Sequence, residues 1–259
     1  MYQAIQWEVK EHIGILRLNR PERLNAIDNV MRNEMEQVLR AAEADPDVWT
    51  IIATGNGRGF CSGADLKARA EAEKAGAGGT SPQPLFDMKY YYAIGFSQIT
   101  KPVIAAVEGY AVGAGMALPS ACDYVVASSA AKFSAGFMKI GFVPDLGMMW
   151  TLPRRVGLGR AKKLMALSNE ISAAEAERIG LVEEIAEPGK ALEAALKVAE
   201  KYAHIAPLAF ELLKDTLAEG LDEVLKAEID MQPILMLSED HEEGKRAFFE
   251  KRRPKFTGR

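Results

Sequence analysis

Cysteine and histidine are nearly absent from this chain, long apolar runs are absent altogether, and positive charge is not in surplus. Two cysteines in 259 residues, Cys61 and Cys122, exclude a disulfide scaffold, and with histidine only at positions 12, 204 and 241 no metal site is expected. Both cysteines lie in small-residue runs, where a buried thiol is the expected role. No apolar run reaches membrane-spanning length. The start, Met1-Tyr2-Gln3-Ala4-Ile5-Gln6-Trp7-Glu8, has no basic region followed by a long apolar one, so a cytoplasmic protein with no membrane partner is expected. The net charge of -4 argues against a nucleic-acid partner, since phosphate contacts need Lys and Arg concentrated on one face. A local basic cluster, Lys251-Arg252-Arg253-Pro254-Lys255, suits one phosphorylated ligand better than a polymer. By composition alone it reads as a solvated, frayed tail.

What is present is the material of a globular domain. Hydrophobic residues make up 48% and charged residues 26%, enough to bury a sizeable core. Ile5 and Trp7, the turn residues Lys10-Glu11-His12, and Ile13 to Leu18 read as a β-hairpin with one buried face. Asp28 caps a helix to about Ala44, with Val30, Met31, Met35, Val38, Leu39 and Ala42 as its apolar stripe. Trp49 to Thr54 is a strand. Ala68 to Lys74 has helical propensity, and Gly76 to Pro84 is a breaker-rich insert that reads equally as a mobile cover over a substrate channel or as plain disorder. Leu85 to Ile99, with Phe86, Met88, Tyr90, Tyr91, Tyr92 and Phe96, is helical. Tyr124 to Ala127 and Ala131 to Ser134 are strands, and such alternation calls for right-handed crossovers and an α/β layered core. From about Ser172 the pattern is helical almost throughout: a capping box at Ser172 and Glu175, a brief strand at Gly180 to Ile185, then helices at Ala191 to Ala203, Pro207 to Glu219, and Leu221 to Ser238 with an interruption at Pro233.

The stretch from Lys101 to Leu152 organises the rest. Pro102 to Val107 reads as a short buried strand, broken at Glu108-Gly109-Tyr110. Gly113-Ala114-Gly115 then turns into a short buried helix, Met116 to Cys122. A strand feeding through glycines into a helix gathers unpaired N–H groups and the positive helix end at one spot, which can hold an oxyanion. Gly55 to Lys67 repeats the plan after the strand from Trp49. Two such junctions in one domain can aim one amide each at a single carbonyl oxygen.

Phe60-Cys61-Ser62-Gly63-Ala64-Asp65-Leu66-Lys67 and Glu108-Gly109-Tyr110-Ala111-Val112-Gly113-Ala114-Gly115 resemble the paired signatures of the crotonase family, the enoyl-CoA hydratases and isomerases. The resemblance runs nearly end to end, from Arg20-Pro21-Glu22-Arg23-Leu24-Asn25-Ala26 to Phe248-Phe249-Glu250-Lys251-Arg252. It implies an α/β spiral of ββα turns, residues 1–200, with an α-helical C-terminal region, 201–259, for packing and oligomerisation as a homotrimer or a dimer of trimers. It implies an acyl-CoA thioester as substrate, so that coenzyme A belongs to the substrate and no separate cofactor is expected. The amides of Ala64 and Ala114 become the oxyanion donors. Arg23 and the backbone of Ala64, Asp65, Leu66 and Lys67 hold the coenzyme A moiety, and Phe248 and Lys251 meet its nucleotide end across a subunit boundary.

One departure bears on the reaction. Hydratases of the family activate water with two glutamates, and this chain has Ala117 and Phe137 at those positions, neither able to exchange a proton. The nearest candidate carboxylate is Asp145, in Ile140-Gly141-Phe142-Val143-Pro144-Asp145-Leu146-Gly147. This resembles the Pro-Asp-x-Gly of relatives that shift double bonds, including the epoxyphenylacetyl-CoA isomerases, and its place is similar to that of the aspartate nucleophile of aroyl-CoA dehalogenases. A single carboxylate among Phe137, Phe142, Val143, Leu146, Met148, Met149 and Trp150 would be desolvated and made a better base. The expected activity is therefore a double-bond isomerase with Asp145 as acid and base. The alternatives are a hydratase, hydrolase or dehalogenase on the same fold, or a CoA-ester-binding protein without catalysis.

Overall fold

The computed structural model describes residues 2–74 and 92–259. The stretch 76–84 and the residues Phe86, Met88, Tyr90 and Tyr91 lie outside them. The chain opens with the expected hairpin, β1 (Ile5–Lys10) antiparallel to β2 (Ile13–Leu18). Its turn residues Glu11 and His12 both take positive φ, as a two-residue hairpin loop matching the strand twist requires. His12 is held there by stacking on Trp49 at 3.9 Å. Only β1 has one buried face. β2 is buried on both, because Leu16 and Leu18 join the main core while Ile13 and Ile15 join a second cluster on the other side of the sheet.

Helix α1 (Asn29–Ala44) starts where Asp28 accepts the Met31 amide at 2.9 Å. Its stripe buries Met31, Met35, Val38, Leu39 and Ala42, but Val30 is exposed. Glu34 takes part of the inward face instead, its two oxygens accepting the Gln3 and Ala4 amides at 2.7 and 2.8 Å.

From β3 (Thr50–Gly55) the chain winds in repeating turns. Each turn gives one strand to a large sheet and one short segment to a small sheet, then forms a helix. β3 is followed by Cys61, which bridges to the small sheet, then α2 (Leu66–Lys74) and α3 (Tyr92–Gln98). β4 (Val103–Val107) is followed by β5 (Tyr110–Val112) and α4 (Ala114–Ala121), and β6 (Tyr124–Ser128) by β7 (Lys132–Ser134). Next come α5 (Met148–Val156), α6 (Leu158–Leu167), β8 (Ile171–Ser172), α7 (Ala173–Arg178) and β9 (Glu184–Ala186). The large sheet has the order β1-β2-β3-β4-β6-β9 and is parallel from β2 onward; the small one runs β5-β7-β8. This is the ββα spiral that the resemblance implies.

Helix α8 (Ala191–Tyr202) covers the far face of the large sheet with Ala191, Ala195, Val198 and Ala199. It is followed by α9 (Pro207–Leu217), α10 (Leu221–Met236) and α11 (Glu239–Glu250). α10 runs unbroken through Pro233, contrary to the expected interruption, with Pro233 on the exposed side of the helix. The expected strand at Gly180 to Ile185 shrinks to β9. Helices α5, α6 and α11 are additional to the elements expected from the sequence; α11, EDHEEGKRAFFE, is dominated by charge, whereas α5 is short and carries Pro153 within it. The basic tail is not frayed. Arg252 pairs with Glu243 and Glu250, the Lys255 amide donates to Glu243 at 2.8 Å, and Asp240 accepts the Thr257 and Gly258 amides, strapping the terminus to α11. Among the described residues no helix is long and apolar enough to cross a membrane.

Candidate functional site

The two strand-to-helix junctions lie against each other. The Cys61 amide donates to Tyr110 O at 2.9 Å and the Val112 amide to Cys61 O at 3.0 Å. On the other side, Ile27 N donates to Gly63 O at 2.8 Å and Asp65 N to Ile27 O at 2.9 Å. That bridge uses the groups flanking Ala64 and so turns the Ala64 amide away from Ile27. Gly63 has a φ of 98°, and a Cβ there would stand 2.7 Å from Val112 O and 3.6 Å from Ala114 N. A Cβ on Gly115 would fall 2.1 Å from Cys61 O. Glycine at both positions is what lets the backbones approach.

Ala114 is the first residue of α4, so its amide is one of the donors a helix leaves unpaired at its start. No described residue accepts a hydrogen bond from the amide of Ala64 or of Ala114. Both cysteines are buried, as expected, Cys61 at the junction and Cys122 at the far end of α4, and burial pushes the Cys61 thiol up to about 12, leaving it inert.

Asp65 turns its side chain inward. Its Oδ1 accepts the Ala68 amide at 3.0 Å and caps α2, and its Oδ2 pairs with Arg20 at 2.9 Å. Burial alone would raise its pKa, but the Ala68 amide and Arg20, with Arg23 adding, hold the carboxyl below the usual range. Arg23 is exposed on the short 3-10 turn Pro21–Arg23, its carbonyl accepting from Ser62 Oγ at 3.3 Å. Arg23, Ala64, Asp65 and the exposed Lys67, with the half-buried Leu66, thus form one neighbourhood. Phe248 and Lys251 stand on the outer part of α11. The Phe248 ring meets Phe249 edge-on at 5.6 Å, and Lys251 ends the helix in a left-handed conformation. Among the described residues, no hydrogen bond, ion pair or ring contact joins them to Arg23 or the 64–67 turn.

Asp145 sits half-buried in the tight turn before α5, where Met148 N donates to its carbonyl at 3.1 Å. The turn forces Leu146 to a φ of 62° and Gly147 to 73°. Leu146 is an unusual residue for that region, and such strain survives only where packing over-determines it. Gln232 of α10 supplies the brace, its Nε2 donating to Val143 O at 3.1 Å and to Asp145 Oδ2 at 2.9 Å. Burial pushes the Asp145 carboxyl up to about 6, against the lowering influence of Gln232 and of Arg69 from α2.

The apolar surroundings are in part those expected. Phe137, Phe142, Leu146 and Met148 share the main buried cluster with Ala114 and Ala117. Trp150 does not: it packs with Ile94, Leu221 and Leu225 in a separate cluster, under the guanidinium of Arg154. Phe142 stacks on the His241 ring at 3.9 Å and has the Arg69 guanidinium 5.8 Å from its centroid. Arg69 also reaches Met236 Sδ at 3.5 Å, so the helix that opens at the Ala64 turn is tied to Asp145 and to α10.

Nor is Asp145 the single carboxylate there. Glu228 of α10 is buried beside it, its Oε2 accepting the Gly147 amide at 3.0 Å. Glu228 and Gln232 are not among the residues expected from the sequence, although Leu221, Leu225, Glu228 and Gln232 recur on one helical face and mark two polar residues inside an apolar stripe.

Two glycine-lined junctions that abut within a ββα spiral, with a half-buried acid on the turn before α5, define a class of α/β proteins. The chain matches the enoyl-CoA hydratase/isomerase family over residues 8–259 and belongs to it. It is 35% identical to the 1,2-epoxyphenylacetyl-CoA isomerase of Escherichia coli over 268 residues, covering 100% of both chains. It is 36% identical to a probable enoyl-CoA hydratase of Rhodobacter capsulatus over 266 residues, covering 100% of this chain and 99% of that one. Among solved structures, carnitinyl-CoA hydratase from Mycobacterium avium superposes with a TM-score of 0.88 at 30% identity, covering 100% of both chains. The chain is thus an acyl-CoA enzyme of the enoyl-CoA hydratase/isomerase family.

Proposed function

We propose that this enzyme moves a carbon–carbon double bond within an enoyl-CoA thioester. The observation that carries the reading is a half-buried, desolvated carboxylate at Asp145, on the turn that carries Leu146, with Ala and Phe at positions 117 and 137 of the same apolar core. The thioester oxygen accepts from the amides of Ala64 and Ala114. Each such donor contributes roughly 3 to 4 kcal/mol to an oxyanion as judged by removal. With the oxygen's charge so held, Asp145 takes a proton from one carbon, leaving a dienolate, and returns it two carbons along the conjugated system. A carboxyl pushed up to about 6 is ionised near neutral pH yet basic enough for this. Arg23 and the 64–67 backbone hold the coenzyme A moiety, with Phe248 and Lys251 at its nucleotide end. The exposed leucines of α9, Leu208, Leu212, Leu213 and Leu217, form the contact of a homo-oligomer, a trimer or a pair of trimers.

The test is ultraviolet and mass-spectrometric monitoring with a 3-enoyl-CoA and, separately, a 2-enoyl-CoA, for wild type and Asp145→Asn. Conversion of the 3-enoyl ester without mass change, falling by about 10² to 10⁴ in the variant, supports the isomerase. Hydration is the second reading, favoured by the carboxyl of Glu228 beside Asp145. Gain of one water from the 2-enoyl ester, unaffected by Asp145→Asn, would replace the first reading with it.

A further inference from the structure

Three acids are deeply buried among the described residues: Glu34, Asp65 and Glu228. Glu34 has both oxygens on backbone amides, and Asp65 has one on an amide and one on Arg20. Glu228, the most buried at 4% exposure, differs: Oε2 takes the Gly147 amide, and Oε1 has no partner among the described residues. No cation pairs with it there, and its nearest charged neighbour is another acid, Asp145. A buried carboxylate with one bare oxygen and a like charge alongside is an expensive arrangement; the same group carrying a proton is not.

A second bare oxygen indicates where that proton points. Gln232 lies one helical turn on from Glu228, and i,i+4 spacing makes the two side chains neighbours. Its Nε2 is committed to Asp145 and Val143, while its Oε1 is buried without a donor. The amide cannot be reversed, because Oε1 would then face the Asp145 carboxylate and the Val143 carbonyl, two acceptors. One proton on Glu228 satisfies both orphaned oxygens.

We propose that Glu228 is a positioning residue that stays protonated: its Oε1–H donates to Gln232 Oε1, and the fixed Gln232 amide donates to Asp145, while Oε2 holds the Gly147 amide at the start of α5. Asp145 is then the one charged carboxylate of the pair and is held in a single orientation. The inference rests on Asp145 being the acid–base group. Burial first, then the charge of Asp145, push Glu228 up to about 8, against the pull of the Gly147, Met149 and Leu146 amides. The other groups around the pair are Arg69 from α2, which favours ionised Asp145, and His241 from α11. Burial, with Lys245 and Arg69, lowers the His241 pKa, against the Ile140 carbonyl and Glu242.

The experiment compares wild type, Glu228→Gln, Glu228→Leu and Asp145→Asn by infrared spectroscopy at neutral pH and by pH–rate profiles with a 3-enoyl-CoA. A protonated-carboxyl stretch in wild type, retained in Asp145→Asn and lost in Glu228→Gln, is expected. Glu228→Gln, which can both accept from Gly147 and donate to Gln232, keeps kcat within about threefold and loses the alkaline limb near pH 8. Glu228→Leu, which strands Gln232 and Gly147, loses about tenfold or more. Absence of the stretch in wild type overturns the proposal. So does a loss in Glu228→Gln as large as in Glu228→Leu, which would make Glu228 a proton-transferring group. Should Glu228→Leu fail to fold, the stretch and the Glu228→Gln profile still decide. Full activity of Asp145→Asn with the stretch intact overturns the role of Asp145 and leaves a neutral Glu228 supported.

Discussion

Gln232 on α10 and Asp145 in the turn before α5 are 87 residues apart in sequence, yet Nε2 of the one lies 2.9 Å from Oδ2 of the other. That hydrogen bond favours the charged form of Asp145 and opposes the burial that pushes its pKa up to about 6. It therefore sets where the base becomes active as pH rises.

Activity is accordingly expected to climb as pH passes through about 6, where Asp145 ionises. Gln232→Leu removes a lowering influence, so the acid limb of kcat/KM moves to higher pH. A profile measured with a 3-enoyl-CoA whose acid limb does not move in that variant would detach the limb from Asp145.

The Gly115 contact makes a second prediction. A Cβ there meets Cys61 O at 2.1 Å, so Gly115→Ala pushes the two glycine-lined junctions apart. Displacing one oxyanion donor costs about 10² to 10³ in kcat. The variant should keep the part of coenzyme A binding that the Arg23 side chain supplies, since Arg23 stands on a separate turn; calorimetric titration beside steady-state kinetics separates the two effects. Near-normal kcat in a folded Gly115→Ala would argue against Ala114 as a donor.

Glu228 makes stability depend on pH in a definite direction. Its pKa is raised from 4.5 to about 8 on folding, so the native state is favoured fully below pH about 4.5 and loses that advantage as pH rises through 8. Glu228→Gln does not titrate. Its thermal midpoint should match that of wild type near pH 4.5 and exceed it increasingly towards pH 8. Parallel curves across that range would mean the carboxyl is not perturbed.

Lys214 offers a test of stability apart from chemistry. Its buried ammonium donates to Phe96 O at 3.1 Å, Lys101 O at 3.2 Å and Asp123 Oδ2 at 2.9 Å, tying α9 to the ends of α3 and β6. Lys214→Ala strips that donor from Phe96 O and Lys101 O and leaves Asp123 with the Val103 amide but no cation, and should cost about 3 to 5 kcal/mol by denaturant unfolding. The kcat of the folded fraction should be unchanged.

Much of this was legible in the sequence because it depends on local rules. The cap at Asp28 and the Ser172 half of the expected capping box both formed, since a side-chain oxygen three residues before an open amide needs no distant partner; Glu175 pairs with Arg178 instead of closing the box. The strands Val103–Val107 and Tyr124–Ser128, and the glycine turns at 63 and 113, were likewise readable from apolar runs and breakers. The absence of carboxyl groups at 117 and 137 and the presence of one at 145 are facts of sequence alone.

What only the tertiary structure decided is which groups face one another. Val30 reads as core and is exposed, because Glu34 takes its share of the inward face to hold the Gln3 and Ala4 amides. Trp150 leaves the surroundings of Asp145 for a separate cluster with Leu221 and Leu225. Glu228 and Gln232, on a helix that periodicity reads as plain packing, reach Asp145 and Gly147 from more than eighty residues away. A residue's period says which side of its own helix it occupies; its electrostatic environment depends on what the rest of the chain packs against that side.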